Sequence, residues 1–269
     1  MSAPIGVFDS GLGGLTVLRA LMARLPHESF LYLGDTARLP YGTKSADTVR
    51  RYALQATTAL VARGVKLAVI ACNTASVSLP ALAHALAPLP VIGVIEPGAQ
   101  AALAAAPHGP IAIIGTEGTV KSGAYRGAIR AHGSSVPIVQ QACPLFVPLT
   151  EEGLVDGPIV EAVVHRYLDP LLATVPKPKC LLLGCTHYPA LKAAIARIVG
   201  PDIALIDSAV TTADAVATLL KAQDMANQDG VHALKFLATD APDRFARIGE
   251  IFLGQPIDPG LVELIDLQG

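Results

Sequence analysis

Two cysteines stand where a thiol could do chemistry. VIACNTA places Cys72, and LLGCTHY places Cys185, at the end of an apolar run, with Asn73 and Thr74 following the first and Thr186 and His187 the second. A lone cysteine is most often a small buried hydrophobe; two in matching polar surroundings permit another use. A thiol with a free pKa of about 8.5, tuned by its neighbours, can remove or return a proton. Inverting a carbon stereocentre needs a base on one face and an acid on the other, so two opposed thiols suit that reaction better than one group that must move. Zinc binding is the competing use, but there is no Cys-x-x-Cys pair and Cys-Thr-His is not the spacing of a closed zinc site.

Other chemically capable residues are more ambiguous. Asp9, Ser10 and His187 could compose a hydrolase triad, yet Asp9 and Ser10 share one turn and no G-x-S-x-G elbow is present. Glu151, in CPLFVPLTEEG, reads as a solvated turn acid or as an assisting carboxylate. His187 reads as a structural histidine or as a proton-transfer aid two positions from Cys185.

Two glycine-rich turns approximate phosphate-binding motifs and miss. GLGGLT has Thr16 where a dinucleotide fingerprint needs its third glycine, and Asp9 just before the turn would repel a pyrophosphate. GTEGTVKS has Val120 where a phosphate loop needs glycine before Lys121. A helix start flanked by Thr116, Thr119 and Ser122 could still hold a carboxylate, or it could be an ordinary capped helix. Lys121 is the one visible candidate for a pyridoxal-phosphate Schiff base.

The elements that must carry these residues are short apolar runs alternating with helical patterns. Strands are expected at 5–8, 30–33, 67–71, 91–95, 111–115, 137–140, 180–184 and 203–206, and a helix at 47–63, where Val49, Tyr52, Ala53, Ala56 and Leu60 share a face. Alternation of this kind predicts parallel α/β sheets. IGVFDSG recurs in pattern as IAIIGTEGT, and VIACNTA as LLGCTHY. We therefore expect two similar, open, mostly parallel-sheet α/β domains facing each other across a central cleft, one of residues 1–94 plus 208–269 and the other of 95–207. Ligands of such sheets bind beyond the carboxyl ends of the strands. Asp9, Ser10, Cys72, Asn73, Thr74, Thr116, Thr119, Cys185, Thr186 and His187 all fall just past predicted strand ends.

Composition narrows the partners. The 269 residues are 52% hydrophobic and 16% charged with a formal net charge of −2, enough apolar material for a sizeable core. No Lys/Arg-rich run points to nucleic acid. The stretch from Leu67 to Ile95 lacks Asp, Glu, Lys and Arg and exceeds the roughly 20 residues of a membrane span, but Pro80, Pro88 and Pro90 break it, as in a buried βαβ unit. MSAPIGVFDSGLGG has no secretory pattern, so a cytoplasmic location and four reduced cysteines, Cys72, Cys143, Cys180 and Cys185, are expected.

Taken together, DSGLGG (9–14), LPYGTKS (39–45), ACNTAS (71–76), GVIEPG (93–98), GTEGTVKSGAY (115–125), CPLFVPLTE (143–151) and GCTHYP (184–189) resemble the glutamate racemase family, in order and over most of the chain. The resemblance implies that Cys72 and Cys185 are proton donor and acceptor, with Asp9 assisting Cys72, and Glu151 and His187 assisting Cys185. It implies substrate contacts from Asp9, Ser10, Tyr41, Gly42, Asn73, Thr74, Thr116, Thr119, Thr186 and His187. Thr150 stands where that family commonly has an aliphatic residue, and Glu152 is the alternative to Glu151. The resemblance further implies glutamate as substrate, no metal or organic cofactor, supply of D-glutamate for peptidoglycan, and a homodimer. Racemisation of aspartate or another amino acid, and a non-catalytic two-lobed binder, are the alternatives.

Overall fold

The computed structural model describes residues 3–174, 176–227 and 233–267. The expected apolar runs form β1 (Ile5–Asp9), β2 (Phe30–Gly34), β3 (Leu67–Ile70), β4 (Val91–Gly93), β5 (Ile111–Gly115), β6 (Ile138–Ala142), β7 (Cys180–Gly184) and β8 (Ala204–Asp207), and two further strands follow, β9 (Leu234–Ala238) and β10 (Val262–Leu264). The helices are α1 (Leu15–Arg24), α2 (Ala46–Val61), α3 (Asn73–Ser76), α4 (Leu79–Leu86), α5 (Ile95–Ala105), α6 (Glu117–Ser122), α7 (Ala124–Ala131), α8 (Phe146–Glu151), α9 (Pro158–Leu172), α10 (Lys192–Val199), α11 (Ser208–Ala222) and α12 (Pro242–Leu253).

Local sequence sets several of these boundaries. Ser45 caps α2 by accepting a hydrogen bond from the Thr48 N–H, and the helix buries Val49, Ala53, Ala56 and Leu60 while Arg50 and Arg51 stay in solvent. The expected strand at 91–95 ends two residues early because Ile95 already opens α5. Pro97 fits that first helical turn, where its missing N–H has no partner to lose. The charge-free stretch from Leu67 to Ile95 folds as β3, α3, α4 and β4, and no helix among the described residues is long and apolar enough to cross a membrane.

All strand pairings are parallel and build two sheets, one in the order β10-β9-β2-β1-β3-β4 and the other β6-β5-β7-β8. The order β2-β1-β3-β4 thus recurs as β6-β5-β7-β8. The pattern repeats of the sequence are therefore topologically equivalent: β1 corresponds to β5, and β3, which leads to Cys72, corresponds to β7, which leads to Cys185.

Each sheet is covered in part by a helix that leaves the other. α5 follows β4 but packs Ile95, Ala99 and Ala102 against Ile111, Ile113 and Leu182 of the four-stranded sheet. α11 follows β8 but packs Ala209, Ala213, Val216 and Leu220 with Val17, Leu18 and Leu21 beneath the six-stranded sheet. The two crossing helices touch each other, and the exchange holds the carboxyl ends of both sheets against a common space.

Candidate active site

The carboxyl-terminal strand ends enclose a cavity of about 310 Å³. Ser10 reaches it from the end of β1, Tyr41 and Gly42 from a single 3-10 turn after β2, and Cys72, Asn73 and Thr74 from the end of β3. The other sheet supplies Thr116 after β5, Glu151 at the end of α8, and Cys185, Thr186 and His187 after β7. Cys72 and Cys185 are free thiols, 5% and 6% exposed, so each is screened from bulk water yet borders the cavity.

The surroundings of the two thiols differ. Cys72 Sγ donates to Ser10 Oγ at 3.3 Å. Burial, followed by the nearby negative charge of Asp9, pushes this thiol up to about 12, which keeps it protonated at neutral pH. Cys185 Sγ instead lies 3.9 Å from His187 Nδ1, and His187 Nε2 lies 3.0 Å from Glu151 Oε1. Burial alone would lower the imidazole pKa, but hydrogen bonds to Cys185 and Glu151 outweigh it and raise it to about 10. His187 is therefore an imidazolium at neutral pH, with one N–H toward Glu151 and the other toward the Cys185 sulfur.

Glu151 and Glu152 are sorted by the end of α8. Glu151 is buried on His187, whereas Glu152 is exposed and pairs with Arg244 of α12 at 3.3 Å. Thr150 points away from the cavity chemistry, its hydroxyl donating back to the carbonyls of Phe146 and Val147.

Asp9 does not line the cavity; it is fully buried below it. Its Oδ2 accepts from the Gly11 N–H at 2.9 Å and its Oδ1 from Thr186 Oγ1 at 3.4 Å, which joins the two sheets. Burial raises its carboxyl above the usual range, with the His187 charge opposing that shift. Thr119 stands behind Thr116. The hydroxyls of Thr74, Thr116 and Thr119 form a triangle across the two sheets, with separations of 2.9, 3.0 and 3.4 Å. The sheets approach so closely that a Cβ on Gly42 would lie 2.6 Å from Thr116 Cβ.

The sequence reading missed the apolar wall of the cavity, made by Leu39, Pro40, Pro144, Val147 and Pro148, and the acidic Glu117 at its edge. Glu117 carries a polar signal that its place in a helix-start turn disguises, and Thr43, which also lines the cavity, escapes notice beside Tyr41 and Gly42. No lysine or arginine lines the cavity among the described residues; Lys121 is exposed on α6. No cluster of three or more His, Cys, Asp or Glu suited to a metal occurs among the described residues.

Fold and cavity define a two-lobed α/β enzyme with a small-molecule site where parallel sheets meet. Residues 15–216 match the model of the Asp/Glu/hydantoin racemase family. The chain belongs to that family. It is 48% identical over 265 residues to a glutamate racemase of Syntrophus aciditrophicus, covering 98% of this chain and 97% of that protein. Among solved structures, glutamate racemase from Francisella tularensis in complex with D-glutamate superposes with a TM-score of 0.92 at 37% identity, covering 99% and 98% of the two chains. The Thermus thermophilus glutamate racemase in complex with β-chloro-D-alanine gives 0.88 at 45% identity, with the same coverage.

Proposed function

We propose that this protein interconverts L- and D-glutamate with no cofactor, one of Cys72 and Cys185 taking the Cα proton while the other donates its own thiol proton to the opposite face. The observation that carries the reading is the placement of two buried thiols on one small cavity, each after the equivalent strand of its own sheet. Substrate Cα lies between the sulfurs, so one removes the proton as thiolate and the other returns a proton to the opposite face.

Each lobe tunes its own thiol. His187, kept cationic by its hydrogen bonds to Cys185 and Glu151, delivers and takes up the proton at Cys185. Ser10 and Asp9 act on Cys72, Ser10 as hydrogen-bond partner and Asp9 through its charge. The hydroxyls of Thr74 and Thr116, backed by that of Thr119, form the carboxylate-binding side with Tyr41, Gly42 and Thr186. With no lysine or arginine lining the cavity among the described residues, substrate carboxylates are held by neutral donors, with His187 as a cation beside the reacting centre. Asn73 has an acceptor to offer the substrate ammonium, because its buried Oδ1 has no partner.

Residues 1–94 with 208–269, and 95–207, are proposed as the two working domains. Their apolar cores support this, since buried side chains of each set pack among themselves. The similarity to named glutamate racemases supports glutamate as substrate, and with it a cytoplasmic role in supplying D-glutamate for peptidoglycan by a homodimer. Proton NMR of metal-stripped protein with L-glutamate in D₂O tests the reading: Cα–H signal and optical rotation should decay together. Exchange with aspartate but not glutamate would reassign the substrate, and exchange with neither would leave a binding protein.

A further inference from the structure

We propose that Tyr125, which lies outside the cavity, is a positioning residue that aims the Asn73 carboxamide at the substrate ammonium; the inference rests on the racemase reading above. Tyr125 belongs to α7 of one lobe and is 1% exposed. Its hydroxyl accepts a 2.6 Å hydrogen bond from Asn73 Nδ2, in the other lobe. Asn73 directly follows Cys72, is itself 2% exposed and borders the cavity.

This bond decides which end of the amide faces substrate. With Nδ2 committed to Tyr125, Oδ1 is left as a buried acceptor with no protein partner. An unsatisfied buried acceptor is costly in the empty protein and is matched by a ligand that donates; of the groups on an amino acid, the ammonium does so. The phenol is also fixed along its length. A Cβ on Gly184, the residue before Cys185, would lie 2.9 Å from Tyr125 Cε2, and one on Gly98 of α5 would lie 3.1 Å from Cε1. One rigid ring therefore packs against the strand end that carries Cys185 while its hydroxyl holds the residue that follows Cys72.

Tyr125→Phe removes the hydroxyl and keeps the ring, so it tests orientation apart from packing. In a wild-type protein that racemises glutamate, the variant is expected to raise KM about tenfold for both enantiomers with kcat within about twofold, the pattern of lost ground-state binding. The same change on an Asn73→Ala background should raise KM less than about twofold, because the group being aimed is gone. Unchanged KM, or a fall in kcat alone, would overturn the proposal. So would a Tyr125→Phe protein that does not fold, since a hydroxyl that only orients Asn73 is dispensable for folding. A wild-type protein without glutamate racemisation would instead overturn the reading on which the proposal rests.

Discussion

His187 Nε2 and Glu151 Oε1, 3.0 Å apart in the buried wall of the cavity, form an ion pair that is continued at 3.9 Å from His187 Nδ1 to the Cys185 sulfur. Among the described residues no such cation is bonded to Cys72, whose thiol faces Ser10. A symmetric reaction is thus served by two chemically unlike half-sites.

That difference predicts how His187→Asn behaves. The enantiomers are equally stable, so kcat/KM must fall equally in both directions, and the asymmetry has to appear in kcat. We expect kcat to drop by about 10²- to 10⁴-fold in the direction limited by proton transfer at Cys185 and by clearly less in the other. Full progress curves from each enantiomer measure this; equal loss of kcat both ways would make His187 a binding residue.

The same ion pair should appear in stability. The folded His187 pKa of about 10 is above its ordinary 6.5, so the stabilisation it confers is fully present below about pH 6.5 and is lost as pH rises toward 10. Thermal unfolding of wild type and His187→Gln from pH 6.5 to 10 should therefore show the wild-type Tm falling relative to the variant. A constant or widening difference in favour of wild type would contradict the pairing.

Much of this arrangement is legible in the sequence because it sits at strand ends. Parallel strands buried on both faces read as unbroken apolar runs, so IGVFD, LAVI, IAIIG and CLLLG announce themselves and the next residues become visible as site residues. β9 escapes notice because Lys235 interrupts its run, and β10 because two of its three residues face solvent. The cavity wall of Leu39, Pro144, Val147 and Pro148 is hidden for another reason: apolar residues of loops and short helices look the same whether they pack on a core or on a ligand. Tyr125 lay inside a noted motif, but its bond to Asn73 joins residues of different lobes, which no local pattern encodes.

Cys72 should be a slow nucleophile in the empty protein. With its thiol pushed up to about 12, alkylation by iodoacetamide should be negligible near pH 7 and climb about tenfold per pH unit while the protein stays folded. Peptide mapping by mass spectrometry reads this directly, and rapid pH-independent labelling of Cys72 between pH 6 and 9 would refute the assignment of Cys72 as the protonated partner.

Gly13 is a place where the lobes cannot accept a methyl group. A Cβ there would lie 2.4 Å from His187 Nδ1 and 2.5 Å from Thr186 Oγ1. Gly13→Ala is expected to destabilise by about 1–3 kcal/mol through forced displacement and to lower kcat by moving His187 from Cys185. Wild-type kcat with an unaltered urea midpoint would show that the contact is looser than described.

The most direct test of the central claim replaces each cavity thiol in turn. Cys72→Ala and Cys185→Ala should each lose about a thousandfold or more of glutamate racemisation by circular dichroism, while still binding glutamate by calorimetry and keeping the wild-type fold. Cys143→Ala and Cys180→Ala, whose thiols do not line the cavity, should stay near wild type. A Cys72 or Cys185 variant that racemises glutamate within tenfold of the wild-type rate would contradict transfer between two thiols.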